Sequence, residues 1–369
     1  SASRPGFGCS RTRRVAAPSP ASPRLPWPAI AAAAALVLLT LAVVGDGLRF
    51  SGGLLVYTID DPYIHMTIAR NLALHGNWGV TPGRFEPASS SPIWTLLLAG
   101  VYRLAGVSDR APLVMNVLVS VGVIFVLDHL LRPFIVRGLV RGVVVLAIGL
   151  AIPLPALVLT GMEPTLHVLL TLLLAWTVAA RLAATGPEPP AGAFAISIGA
   201  LSTLCVLTRF ESLFLIGPLA LTALLRRRPG TACALIAGAA AALAGYMAFA
   251  LPQGGLWLPN PVLLKSQIAD LSTAEAWGRF LVRIPHELVW RRNSHMIALL
   301  LTATWFLLPR PHVPEHRAAV PRVLLAAFVP ASLLHIQFAS LGWFFRYEAH
   351  LVALGLSAMT AVGAALLVT

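Results

Sequence analysis

The chain has 369 residues, of which 57% are hydrophobic and only 11% charged, with a mean hydropathy of +0.81. A soluble domain carries about 25% charged residues, so this composition excludes one. The net charge of +13 does not point to nucleic acid. Twenty-six of the 27 basic residues are Arg, most lie beside apolar runs as in cytoplasmic loops, and no basic stripe with interleaved aromatics occurs.

Residues 1–26 are rich in Arg, Ser and Pro and read as a disordered basic arm on the cytoplasmic side. Apolar runs follow at 28–45, 111–131, 138–158, 165–181, 192–208, 211–225, 231–251, 294–308, 321–338 and 348–369. Most match the thickness of a bilayer core. The expected fold is all-α, a polytopic transmembrane helical bundle of about ten spans filling residues 27–369. Cys9, Cys205 and Cys233 lack metal-site spacing.

The run 91–106 decides the topology. Arg132, Arg137 and Arg141, then Arg226, Arg227 and Arg228, then Arg310, Arg317 and Arg322 share the cytoplasmic side only if 91–106 does not cross. It therefore reads as an interfacial or re-entrant helix within a first outer loop, 46–110. A second outer loop spans 252–293, where WGRFLVRIPHELVWRR reads as another interfacial helix. This topology gathers Asp60, Asp61, Glu86, Glu163, Glu211, Asp270, Glu275, Glu287 and Glu348 on the outer side. Asp128, Glu188 and Glu315 fall inside.

Acids at the edge of a low-dielectric slab are costly, so the outer cluster is the candidate site. Asp61 followed by Pro62 reads as a helix start. Ile64, Ile68 and Leu72 give that helix an apolar stripe, with His65 and His75 on its surface. Capping leaves Asp60 free to act as a general base on an acceptor hydroxyl. Glu163, before Pro164, reads partly as a cap of the next span and partly as a second site acid. Lys265 is the only lysine and suits a phosphate as a point charge. Arg209 and Arg346 stand close in sequence to Glu211 and Glu348.

Seven segments occur in order: Asp60–Ile64 (DDPYI), Thr81–Gly83 (TPG), Glu86 with Ser90–Trp94 (SSPIW), Gly161–Pro164 (GMEP), Leu207–Glu211 (LTRFE), Pro259–Lys265 (PNPVLLK) and Arg346–Tyr347. In this the chain resembles the GT-C superfamily of membrane glycosyltransferases. The likeness is to the branch of mycobacterial arabinofuranosyltransferases and related bacterial polyprenyl-phosphate-sugar transferases. It covers roughly residues 28–369. FEPASSS replaces the family's E-G-Y segment, and Phe210 stands where Pro is usual. The family commonly continues into further spans and an outer domain, whereas this sequence stops at Thr369, in or just after an apolar run, which leaves truncation open.

The resemblance implies an inverting transferase of the bacterial cytoplasmic membrane with its active site on the outer face. It takes a sugar from a polyprenyl-phosphate donor to an extracytoplasmic glycan, lipid or protein acceptor. Asp60 and Asp61 are then the catalytic acids. Arg70, Glu86, Ser91 and Glu163 are expected to contact substrate, as are Arg209, Glu211, Asn260, Lys265, Arg346 and Tyr347. No cofactor is required, and a divalent metal is left open because relatives differ in metal dependence. A lipid transporter or flippase is the competing class. It typically carries internal repeats and mid-membrane charges, whereas these acids gather in the outer loops.

Overall fold

The computed structural model describes residues 26–184, 192–265, 273–290, 295–307, 315–342 and 345–367. The N-terminal arm through residue 25, Glu188, Asp270 and Arg310 lie outside them, as does the side chain of Lys265. The described residues are all helix, turn and loop, with no strand.

Among the described residues, six helices are long and apolar enough to cross a membrane. They are α1 (Trp27–Phe50), α4 (Ala111–Leu131), α7 (Pro164–Ala183), α10 (Pro229–Ala250), α14 (Glu315–Phe338) and α15 (Ala349–Leu367). With the composition, they make this a multi-pass membrane protein. Shorter apolar helices are α3 (Pro92–Ala105), α5 (Gly138–Ala151), α8 (Ala193–Thr208) and α9 (Leu213–Leu225). Several helices open on proline in the first turn, where a missing N–H costs nothing: Pro28, Pro62, Pro92, Pro112, Pro164 and Pro229.

The expected continuous span 138–158 is broken. Helix α5 stops at Ala151, and α6 (Leu154–Val158) begins after Pro153. Pro153 and Pro155 remove two backbone donors in three residues, which a single helix cannot absorb.

Helix α7 is the hub, packing against α4, α8, α14 and α15. Helix α1 lies on α4 and α5, while α10 pairs with α8 and α9. Gly238 of α10 sits against the Gly199 carbonyl of α8, at a separation with no room for a Cβ. Asp128 on α4, expected on the inner side, is buried but matched by Arg141 at 2.7 Å. Losing either partner would leave an uncompensated buried charge.

The segment between α1 and α4 has its own small core. Helix α2 (Asp61–His75) packs on α3 through Met66, Ala69, Leu98 and Tyr102. Helix α3 spans roughly 21 Å at 1.5 Å per residue, short of a bilayer core of about 30 Å. Its other face leaves Leu96, Leu97 and Leu104 exposed. Farther along the chain, α12 (Ala274–Trp290) exposes Trp277, Leu281 and Trp290. Arg283 pins it to the end of α14 by donating to the carbonyls of Ile336 (2.8 Å) and Ala339 (3.0 Å).

Candidate functional site

Four breaks between helices build the site: the start of α2, the turn before α7, the α8–α9 junction and the turn before α15. At the second, Gly161 adopts φ +64° and lies on the Tyr57 ring, so that an added Cβ would meet Tyr57 at 2.6 Å. Tyr57 is held in turn, donating to the Asp109 carbonyl at 2.6 Å. This turn delivers Glu163 into the interior, fully buried and making no side-chain cap. The capping reading of Glu163 gives way to an ion pair: its Oε1 accepts from Arg209 Nη1 at 2.8 Å.

Arg209 follows the end of α8 in extended conformation, and Phe210–Ser212 form a 3-10 turn before α9. Its second arm donates to Glu211 at 2.8 Å. Arg209 is thus buried between two carboxylates, an arrangement in which attraction offsets the desolvation of all three groups.

Arg346 lies in the turn before α15. Its Nη2 approaches Asp61 Oδ2 at 2.7 Å and Tyr347 Oη at 2.8 Å, while Nη1 faces Met162 Sδ at 3.1 Å. Arg346 pairs with Asp61 of the first loop, not with its sequence neighbour Glu348. Both guanidinium carbons stand 4.8 Å from the centroid of the Tyr347 ring. Glu348 is buried and accepts from the Gly342 N–H. Burial raises its carboxyl to about 7, against the lowering effects of that hydrogen bond and of Arg209.

The start of α2 departs from expectation. Neither acid caps it by its side chain: Asp60 is the residue before the helix and is exposed, and Asp61 turns to Arg346. Ile68 is fully buried, but Ile64 and Leu72 are only partly so. His65, expected on the surface, is buried instead. Its Nδ1 lies 2.9 Å from Thr95 Oγ1 and 3.2 Å from Ser89 Oγ, and its Nε2 faces Glu163 Oε2 at 3.9 Å. This hydroxyl network turns the helix so that His65 faces inward. His75 is exposed as expected.

The remaining expected residues are more scattered. Glu86 accepts from the Val80 N–H (2.8 Å) and from the hydroxyl and N–H of Thr81 (3.0 and 3.2 Å). The Thr81 bonds hold its carboxyl below the usual range. Its carboxylate is therefore occupied in shaping the turn that contains Thr81–Gly83. Ser91 is buried at the start of α3, next to the Ser89–Thr95–His65 network, and Arg70 is exposed. Asn260 opens α11 (Asn260–Lys265), is exposed, and donates its backbone N–H to the Pro87 carbonyl at 3.1 Å.

Two groups escaped the sequence reading. One is the His65 network. The other is a buried layer of His167, His335 and His350, with ring centroids 4.0 Å apart (167 to 350) and 5.4 Å apart (335 to 350). His167 Nε2 lies 2.9 Å from Ser212 Oγ. The signal was present in the spacing. His167 stands one turn beyond Glu163, and His350 one turn beyond Arg346.

An apolar cavity of about 470 Å³ opens beside the Arg209–Glu211 pair, walled by Phe210, Glu211, Phe214, Leu243, Trp257 and Val262 among others. Its rim includes α11, which brings the PNPVLLK segment to the site. Among the described residues, no group of three or more His, Cys, Asp or Glu side chains is placed to hold a metal ion. No family model, curated protein or solved structure matches the chain.

Proposed function

We propose that the protein is a membrane glycosyltransferase that moves a sugar from a polyprenyl-phosphate donor to an acceptor on the outer face of a bacterial cytoplasmic membrane. The observation that carries this reading is an apolar cavity walled by Phe210 and Glu211, directly beyond the buried Arg209, whose guanidinium shares the Tyr347 ring with that of the buried Arg346. A lipid-phosphate donor needs both: cations for its phosphate and a hydrocarbon-lined space for its chain. In this reading the chain crosses ten times with both ends inside, and α2, α3 and α12 lie along the outer interface.

The chemistry asks little more of the protein. An acceptor oxygen attacks the anomeric carbon, the bond from that carbon to the phosphate oxygen breaks, and the polyprenyl phosphate leaves. The acceptor proton goes to Asp60, an exposed carboxylate whose side chain makes no cap at the start of α2. Lys265 and Asn260, in the segment beside the cavity, are assigned to the donor phosphate and sugar.

The test is direct. Purified protein in lipid vesicles is given polyprenyl phosphate carrying a labelled sugar, with extracts of cell-envelope glycans and lipids as acceptors. Transfer of label with release of polyprenyl phosphate supports the reading. Donor that crosses the vesicle intact, with no label released, favours a lipid carrier and sinks it.

A further inference from the structure

The two arginines of the site are held in unlike ways. Arg209 is neutralised by two carboxylates, one of them the fully buried Glu163. Arg346 has Asp61 as its carboxylate partner, and its Nε is buried with no acceptor. The Asp61 side chain keeps 22% of its exposure while that of Arg346 keeps 5%. Asp61 also sits in the first turn of α2, directly after a non-helical stretch that includes Gly52 and Gly53. The cation is therefore fixed and the anion on it is reachable.

We propose that Asp61 occupies the seat of an incoming anion: a substrate phosphate binds by displacing the Asp61 carboxylate from Arg346. This rests on the phosphate-donor reading above. A phosphate presents more acceptor oxygens than a carboxylate. It can engage the idle Nε as well as Nη2, in the paired geometry that guanidinium favours. Exchange of one anion for another also keeps the buried arginine neutralised throughout, avoiding the cost of a bare charge. The freed Asp61 then stands next to Asp60 at the mouth of the site.

Competition of this kind makes an unusual forecast, that removing an acid of the site tightens binding. Calorimetry with the purified full chain and farnesyl phosphate, a short isoprenoid phosphate, reads it out. Asp61→Asn should bind roughly 2- to 5-fold more tightly than wild type, the worth of one partly exposed ion pair. Asp61→Glu, which keeps the competing charge, should stay near wild type. Inorganic phosphate should show the same ratio at weaker affinity, which separates the anion seat from the chain cavity. Equal or weaker binding by Asp61→Asn, with farnesyl phosphate still bound, overturns the displacement and leaves the donor reading standing. Absence of binding to every variant overturns both. If Asp61→Asn does not fold, amide hydrogen exchange on wild type decides. The first turn of α2 should exchange faster with farnesyl phosphate present, and unchanged or slower exchange refutes the idea.

Discussion

Asp60 and Asp61 are adjacent in sequence, yet one faces solvent and the other a buried cation. Asp60→Asn keeps shape and removes basicity, so turnover in the transfer assay should fall by a factor of about 10²–10⁴. Wild-type turnover by this variant would take Asp60 out of the chemistry. Glu348 offers a test that needs no substrate. Its carboxyl is raised to about 7 in the folded protein, from an ordinary value of 4.5. The folded state therefore retains a proton that the unfolded chain loses between about 4.5 and 7. The contribution of Glu348 to stability should therefore decrease as pH rises through that window and level off above it. Thermal unfolding in detergent, followed from pH 4.5 to 8, should give wild type a more negative slope than Glu348→Gln, because the other titrating groups are common to both. An unchanged slope would assign it to other groups. The sequence made Asp60, Asp61, Arg209 and Arg346 legible as charges too costly to be idle. It did not reveal that Asp61 pairs with Arg346, because partners so distant in the chain leave no local pattern.

At the scale of elements, helix starts were the most legible feature, because proline and the edges of apolar runs mark them physically. Two kinds of feature were hidden. The break in 138–158 lies inside a uniformly apolar run, where hydropathy is blind and only Pro153 and Pro155 signal it. The inward face of α2 was hidden because an apolar stripe was assumed to define the buried side. In fact His65 is buried through Ser89 and Thr95. The turn before α7 gives a prediction at this scale. Gly161→Ala forces a left-handed residue and drives a methyl into Tyr57. The backbone strain alone costs about 1–3 kcal/mol. The unfolding midpoint should fall accordingly, and a midpoint equal to wild type would mean that the turn relaxes without strain.

At the scale of the whole molecule, six helices among the described residues are long and apolar enough to cross, and the fate of the shorter ones sets the topology. If α3 lies on the outer interface, Arg103→Cys should react with a membrane-impermeant thiol reagent in intact cells, while Arg227→Cys should not. Both positions are exposed in the fold, so the membrane alone decides the outcome. Labelling at 227 with protection at 103 would invert the protein.

The ring of Tyr347 touches both guanidinium groups, one arriving from the α8–α9 junction and the other from its own turn. A flat, uncharged surface common to two like charges acts as a mechanical adding device. Whatever shifts Arg209 or Arg346 is registered by the same plane, and neither can be repositioned without the other sensing it. Among 5 Tyr and 9 Trp, the difference in near-ultraviolet dichroism between wild type and Tyr347→Leu would isolate this ring and so gauge how the two arms are set.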